Sequence, residues 1–476
     1  MKYLNKIKLN FKKSQILQFT AIVIVAILLA AFSSFLTPVM IISLVLAAGV
    51  FVFILEKPIW GIFLLAFLLP FERIGAYDIA GITVRPSQII FLLALISWIV
   101  FNLLRKKFDI VKNPIFWPMI IFIGINTAGL IYAPNLERSV LTLIFTSFTM
   151  LIALIVPNMI KSKERLKKLI WFLILGYIVV TAFGIFQFMG DIAGLPTSIT
   201  GLRDHYTKDV LGFPRVQSTA LEPLYFANYL LLPIAILYAL FLSKKSSIKS
   251  FHLIGLLALG VVNLILTVSR GGYIAAAIMI FLISLFMFKK IFKPKNILII
   301  LLVLIIVSSL AFRFFNLEDS FEKFKEHTFA IFSGASYFER VYTFEQATSM
   351  WYQHPLIGWG PGSFGPYVSA HPYVIPADGW NIVNNEPLEL LAETGILGLL
   401  SMVVLFAILI YRTIKAIIVT KDTYYKAILI ALLATIFAIV VQYQTFSVLY
   451  VTHIWFLVGL TVAVQNLVLL NEKNVE

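Results

Sequence analysis

The sequence predicts an all-α protein, a polytopic transmembrane helical bundle of about 14 spans with 12 as the lower bound. Of the 476 residues, 60% are hydrophobic and only 13% are charged, which is more apolar than a soluble core requires. The apolar residues recur in runs of about 20, the length of a helix that crosses a bilayer. Clusters of Lys and Arg separate alternate runs, as expected when successive loops lie on opposite sides of a membrane.

The first predicted span follows a basic segment, as in a signal peptide, but the apolar run is long enough to cross the membrane. We therefore interpret it as a retained first helix. The third span is short and is also compatible with a re-entrant segment. In chain order, the predicted spans are residues 17–36, 38–55, 58–70, 86–104, 114–133, 139–158, 169–189, 223–243, 253–269, 271–288, 296–313, 389–411, 426–447 and 453–470.

The basic clusters predict the orientation of the bundle. Placing all of them in the cytoplasm satisfies the positive-inside rule at every turn and leaves both termini cytoplasmic. The formal net charge of +15 is then explained by topology, so we expect a lipid bilayer as partner and no nucleic acid. Zero Cys excludes disulfides, thiolate metal sites and cysteine nucleophiles. The clusters lie in the N-terminal segment and at residues 105–112, 161–168, 244–249, 289–295 and 412–426.

The two sides differ in the type of basic residue. The predicted inner side carries 24 Lys and 3 Arg, whereas the outer side carries 3 Lys and 8 Arg. Lys satisfies topology, but Arg is the residue for bidentate recognition of phosphate or carboxylate. One alternative is that each outer Arg pairs with a nearby carboxylate; for the whole set we favour an anionic ligand. The set is Arg73, Arg85, Arg138, Arg203, Arg215, Arg270, Arg313 and Arg340.

Two predicted outer loops are long, at residues 190–222 and 314–388, and long loops between packed elements are usually functional or disordered. The second contains "SYFERVYTFEQATSMWYQHP", in which apolar residues recur at helical spacing. We expect that helix to lie on the membrane surface or against the bundle. The glycine-rich "HPLIGWGPGSFGPY" follows and predicts a tightly turning loop that packs on the bundle. The helical positions are Phe338, Val341, Phe344 and Trp351.

Polar residues gather at the outer ends of the spans rather than at their centres. Ion-coupled transporters usually carry charge at mid-depth, so this distribution lowers the expectation of a transporter. In "LTVSRGGYIAAA", Ser269 and Arg270 stand at a corner between two spans, where Gly271 and Gly272 permit a tight turn. The alternative is a plain hairpin whose Arg reaches the lipid headgroups.

Four segments, taken in order, resemble the C-terminal signature region of the O-antigen ligase and polymerase superfamily. They cover roughly residues 210–411 and read "GFPRVQSTALEPLYFANYLLLPIAI", "LTVSRGGY", "ERVYTFEQATSMWYQHPLIGWGPGSF" and "NNEPLELLAETGILGLL". The resemblance implies a bundle of the GT-C type in the bacterial cytoplasmic (inner) membrane. It further implies transfer of glycan from a polyprenyl-diphosphate carrier to a glycan or lipid acceptor on the outer face.

The ligase signature of that superfamily is His, then Asn, Ser or Gln, then nine residues, then Gly-x-x-Gly. Here Asn385 is followed by nine residues and then by Gly395 and Gly398. Asn384 occupies the position of the His. An amide can donate a hydrogen bond to a phosphate or sugar but cannot accept a proton at neutral pH. This departure favours a polymerase, or a ligase-like enzyme of another glycan pathway.

The resemblance and the outer arginines together define a candidate site. We predict Arg215, Arg270 and Arg340 around the diphosphate, although Glu339 or Glu345 could simply pair with Arg340. Asn384 and Asn385 are predicted hydrogen-bonding neighbours, Ser269 and Arg203 are predicted substrate contacts, and Glu393 is predicted to orient the other groups. The candidate bases are Glu222, Glu386, His354 and His371, where Glu386 has helix capping and the two His have loop packing as alternative roles.

The predicted organisation is a single integral membrane domain, residues 1–476, with a signature region at 253–411. No Asp-x-Asp pair occurs in the chain, so we expect no catalytic metal and no cofactor. The alternative function is a lipid-linked oligosaccharide flippase or another polytopic transporter, which a deep aqueous cavity open to alternating sides would favour.

Overall fold

The computed structural model describes residues 49–71, 77–79, 82–104, 106, 110–244, 248–288, 335–376, 379–447 and 449–472. These residues form a helical bundle with one two-stranded antiparallel hairpin, Tyr77–Ile79 with Ile82–Val84, in which Tyr77 pairs with Val84. The sequence analysis did not predict this hairpin, which connects the third and fourth predicted spans.

Twelve longer helices and several short turns account for the described bundle. We label the helices α1 (Pro58–Leu68), α2 (Pro86–Leu104), α3 (Phe116–Gly129), α4 (Leu136–Met159), α5 (Lys163–Ile192), α6 (Pro223–Ser243), α7 (Ser250–Leu266), α8 (Arg270–Phe286), α9 (Ala335–Gln353), α10 (Glu386–Val419), α11 (Thr423–Gln442) and α12 (Thr452–Glu472). Shorter helical segments lie at 49–56, Leu69–Phe71, Leu130–Tyr132, Thr197–Thr200, Asp204–Tyr206, Lys208–Leu211, Ser218–Ala220 and Phe364–Val368.

The helices identify a multi-pass membrane protein. Among the described residues, seven helices (α2, α4, α5, α6, α10, α11 and α12) are long and apolar enough to cross a bilayer. Four shorter apolar helices correspond to α1, α3, α7 and α8. The prediction of an all-helical transmembrane bundle is thus confirmed in its coarse form. The predicted spans 17–36 and 296–313, and most of 38–55, lie outside the described residues.

Helix α6 forms the centre of the bundle, because its apolar window is wholly buried by the surrounding helices. It contacts α7, α8 and α11, while α12 packs along α4. Close helix approach depends on small residues, as in other membrane bundles. A Cβ atom on Gly61 of α1 would lie 2.5 Å from Ala94 Cβ of α2, and one on Gly272 of α8 would lie 2.8 Å from Ala227 Cβ of α6.

The two ends of the bundle carry different polar contacts. At one end, which we call the lysine end, Lys163 forms an ion pair with Asp422, and Arg412 donates to Gln465 and Asn466. Two of the predicted cytoplasmic clusters, 161–168 and 412–426, therefore meet at this end. The opposite end, which we call the arginine end, contains the starts of α2, α4, α6, α8 and α10 and the loop that follows α9.

Candidate functional site

Helix α9 lies against the first turns of α10 at the arginine end. Its buried face is formed by Thr343, Ala347 and Met350, and the last two join Val383 and Ala392 in a small apolar cluster. The predicted helix is confirmed, but the predicted apolar stripe is not its most buried face. Phe338 is 68% exposed, whereas Thr343, Ala347 and Met350 are buried.

Helix α10 is broken at Gly395, whose φ of 64° and ψ of −173° are not helical. The loop after α9 enters this break: the amides of Ile396 and Leu397 donate to the carbonyls of Pro355 and Leu356 at 2.8 and 3.2 Å. A Cβ atom at residue 395 would lie 2.3 Å from the Leu356 backbone. Only glycine meets both the dihedral and the space requirement. Gly395 therefore fixes the glycine-rich loop over the start of α10.

Glu393 holds the other end of the same loop. Its two carboxylate oxygens accept the backbone N–H groups of Gly362 at 2.8 Å and Phe364 at 3.0 Å. Its own carbonyl accepts from the Gly360 amide at 2.8 Å. Arg138 lies within electrostatic range of Glu393 and donates from Nε to the Gly362 carbonyl at 2.9 Å. Glu393 thus orients the loop, and the sequence analysis did not foresee that Arg138 supports it.

Arg215 is a half-buried arginine whose position is fixed on three sides. Its Nε donates to the Thr267 carbonyl at 2.9 Å, its backbone amide donates to the Tyr206 carbonyl at 2.8 Å, and its guanidinium lies 5.6 Å from the Tyr206 ring centroid. The terminal nitrogens of Arg215 make no hydrogen bond to the residues that the structure describes. A preorganised arginine whose two terminal nitrogens, with four N–H donors, remain in reserve is suited to binding an anion.

Arg270, the first residue of α8, lies within electrostatic range of both Arg215 and Arg340. Burial is the main cause that lowers the pKa of Arg215, and the positive charge of Arg270 adds to it. The pKa of Arg340 is also lowered, first by burial and then by Arg270. The three arginines predicted around a diphosphate are therefore neighbours, although they come from a loop, α8 and α9.

The alternative of simple ion pairing is observed at Arg203. Arg203 forms an ion pair with Glu222, with Nη1 2.6 Å from Oε1. Within the same described part, neither Glu339 nor Glu345 forms an ion pair with Arg340, although Glu339 attracts it electrostatically. Ion pairing therefore does not account for Arg340.

The residues at the start of α10 have mainly structural contacts. Asn385 caps the helix, since its Oδ1 accepts the Leu388 amide at 3.0 Å and its Nδ2 donates to the Gln444 carbonyl at 3.2 Å. Glu386 is buried and its amide donates to the Tyr443 carbonyl at 2.9 Å. Asn384 differs: it is half-buried in the left-handed region, with φ of 57°, and its side chain makes no hydrogen bond to the described residues.

Two further predicted groups have contacts that explain them without a ligand. The Ser269 hydroxyl caps α8 by accepting the Gly272 amide at 3.2 Å. His354 stacks on Tyr132, with ring centroids 3.9 Å apart, and meets Trp359 edge-on at 4.6 Å. His354 therefore packs the loop, which was the alternative to a catalytic role in the sequence. His371 is exposed on the outer loop.

A buried chain of polar side chains connects α6, α11 and α12, and the sequence did not predict it. Asn228 of α6 donates to Gln442 of α11 at 2.8 Å, and its Oδ1 lies 2.6 Å from Nε2 of His453. His453 lines a cavity of about 30 Å³ together with Arg85 and Tyr229, a volume for one or two water molecules rather than a sugar. These residues lie in apolar helices, where polar side chains carry no periodic signal.

The fold and the site together define a polytopic helical membrane protein with a cluster of arginines at one end of its bundle. Residues 254–403 match the family model described as O-Antigen ligase. This match supports the O-antigen ligase and polymerase superfamily and confirms the resemblance for the three motif segments inside it. The first segment, 212–236, precedes the match. The match includes Arg270, Arg340, Asn384 and Glu393, while Arg215 precedes it. No curated protein matches the chain.

The described residues contain no group of three or more His, Asp or Glu side chains arranged to hold a metal ion. Of the acidic residues at the arginine end, Glu389 and Glu393 accept backbone amides and Glu222 pairs with Arg203. Arg215 and Arg340 form no ion pair with the residues that the structure describes.

Proposed function

We propose that this protein transfers glycan from a polyprenyl-diphosphate carrier to a glycan or lipid acceptor. The observation that carries the proposal is the convergence of Arg215, Arg270 and Arg340 at one end of a membrane bundle. The positive charge of Arg270 acts on both Arg215 and Arg340, and like charges at close range repel. A diphosphate at the water–lipid boundary would relieve that repulsion, and its isoprenoid tail would remain in the bilayer.

In the proposed reaction, the acceptor hydroxyl attacks the anomeric carbon while the bond to the diphosphate oxygen breaks. The proton of that hydroxyl passes to Glu386 or to the departing diphosphate. The arginines stabilise the charge that develops on the leaving diphosphate, by fixed electrostatics and without a metal. Asn384 donates a hydrogen bond to the substrate. Of the four candidate bases, Glu222 has both oxygens engaged by Arg203 and Tyr206, so a positioning role suits it better than proton transfer.

The finer architecture is part of the same proposal. We infer about 14 spans of the GT-C type, an inner-membrane location, cytoplasmic termini at the lysine end and an outward-facing arginine end. In this topology residues 190–222 and 314–388 are extracytoplasmic, and 253–411 is the signature region. The positive-inside rule supports this orientation.

The test of the arginine site is complementation of a deletion strain with single variants. Arg215→Ala and Arg340→Ala should each lower production of surface glycan by about 100-fold or more, since each removes a transition-state contact. Arg165→Ala, at the lysine end, is the matched control and should complement fully. Normal production in either arginine-end variant, with membrane levels equal to wild type, would remove that residue from the site.

The length distribution of the surface polysaccharide in the deletion strain separates the possible activities. We favour a polymerase because Asn384 replaces the signature His, so long chains should disappear while single units remain. Accumulation of long lipid-linked chains would instead indicate a ligase. Single units trapped on the cytoplasmic side would indicate the flippase alternative.

A chelator experiment tests whether glycan transfer requires a metal ion. Transfer by the purified protein should be unchanged in excess chelator, because arginines supply the positive charge. A requirement for magnesium would contradict a metal-independent mechanism.

A further inference from the structure

Tyr206 joins three groups of the proposed site, although no sequence motif singled it out. Its hydroxyl donates to Glu222 Oε2 at 2.5 Å, and its ring centroid lies 5.6 Å from the Arg215 guanidinium. Its carbonyl accepts the Arg215 backbone amide at 2.8 Å. The side chain is half-buried in the turn Asp204–Tyr206.

The Glu222 carboxylate is fully occupied by this arrangement. Oε1 pairs with Arg203 at 2.6 Å and Oε2 accepts from Tyr206. Burial is the main cause that raises the pKa of Tyr206. The hydrogen bond to Glu222 and the negative charge of Glu222 raise that pKa further. The hydroxyl therefore keeps its proton, and remains a donor, throughout the physiological range.

Glu222 is also close enough to Arg215 to attract it electrostatically. The two nevertheless form no ion pair in the part of the chain that the structure describes, and the Arg215 terminal nitrogens stay available. A carboxylate freed from its present partners is the nearest competitor for those nitrogens, since bidentate pairing with carboxylate is what guanidinium groups prefer.

We propose that Tyr206 is a positioning residue which, together with Arg203, holds Glu222 away from Arg215 and so keeps Arg215 available for a diphosphate. The inference rests on the proposed function, because it assigns Arg215 to the anionic part of the substrate. In this arrangement Tyr206 and Arg203 prevent the Glu222 carboxylate from pairing with the terminal nitrogens of Arg215.

The test measures binding of a short-chain polyprenyl diphosphate to the full-length protein in nanodiscs. Tyr206→Phe keeps the ring beside Arg215 but removes the hydroxyl. Oε2 of Glu222 then loses its partner and can turn toward Arg215, so binding should weaken about ten-fold. Tyr238→Phe, which removes a hydroxyl 3.0 Å from Ser284 Oγ, is the matched control and should bind as wild type.

The Glu222→Gln background distinguishes positioning from a merely structural role. A neutral amide competes poorly for Arg215, so Tyr206→Phe should have no effect on affinity when residue 222 is Gln. The proposal is overturned if Tyr206→Phe binds as wild type, or if it weakens binding equally in both backgrounds. Arg215→Ala reports separately on the proposed function: unchanged binding by that variant contradicts the diphosphate site itself.

Discussion

Asn384 is the residue that separates this chain from the ligase signature, and its backbone explains part of the choice. A φ of 57° places it in the left-handed region, which Asn adopts more readily than most non-glycine residues. The Asn385 side chain caps α10, and the backbone amide of Glu386 donates to the Tyr443 carbonyl. Asn384 is half-buried, and its side chain makes no hydrogen bond to the residues that the structure describes, so we propose it as a substrate contact.

Replacement of Asn384 separates its backbone role from its side-chain role. Asn384→Gly should retain the thermal stability of the wild type, because glycine adopts the left-handed region readily, yet it should lower glycan transfer. Asn384→Ala should lose transfer equally and also cost about 1 kcal/mol of stability. Thermal unfolding in detergent and a transfer assay provide the two measurements. Wild-type transfer by Asn384→Gly would remove the amide from the site.

Glu393 was predicted from the sequence to orient other groups, and its two backbone contacts explain how. Glu393→Ala leaves the Gly362 and Phe364 amides without their acceptor. Charged hydrogen bonds contribute about 1.5–3 kcal/mol each, so the melting temperature should fall clearly. Glu393→Gln keeps one acceptor oxygen, so its melting temperature should fall less. Equal melting temperatures for Glu393→Ala and wild type would contradict this role.

At the scale of the element, the sequence predicted the helices better than their contacts. Helix α9 was predicted from its periodicity, but the buried face is Thr343, Ala347 and Met350 rather than the aromatic stripe. Gly395 was identified only by its place in the signature, whereas in the structure it breaks α10 and admits the loop at 355–360. Both differences arise from partners distant in sequence, which local periodicity does not encode.

The break in α10 predicts that alanine is poorly tolerated at Gly395 but well tolerated at Gly124. Gly395→Ala should destabilise the protein strongly, because the Cβ atom meets the Leu356 backbone and the residue has a positive φ. Gly124→Ala is the control: it lies inside α3 with no atom within 4 Å of the added Cβ, and should gain up to about 1 kcal/mol. Comparable melting temperatures for the two variants would contradict the proposed break.

At the scale of the whole molecule, the distribution of Lys and Arg predicted which residues share an end. Arg215, Arg270 and Arg340 come from separate segments and still meet. The sequence could assign them to one side but not to one cluster, since helix contacts in a bundle depend on packing. The contacts among Asn228, Gln442 and His453 could not be predicted from the sequence for the same reason.

The absence of Cys makes the orientation directly measurable. Asp209→Cys at the arginine end and Lys421→Cys at the lysine end are both exposed positions. A membrane-impermeant maleimide should label Asp209→Cys in cells whose cytoplasmic membrane is intact, and Lys421→Cys only after that membrane is permeabilised. The reverse pattern would invert the topology and place the arginines in the cytoplasm.

The most direct test of the central claim is glycan transfer by the purified protein in liposomes, supplied with a defined polyprenyl-diphosphate glycan. The wild type should form a product with a new glycosidic bond and release the diphosphate carrier, whereas Arg340→Ala should be at least about 100-fold slower. No product from the correctly folded wild type with its own lipid-linked glycan, or equal rates for the two proteins, would contradict the account.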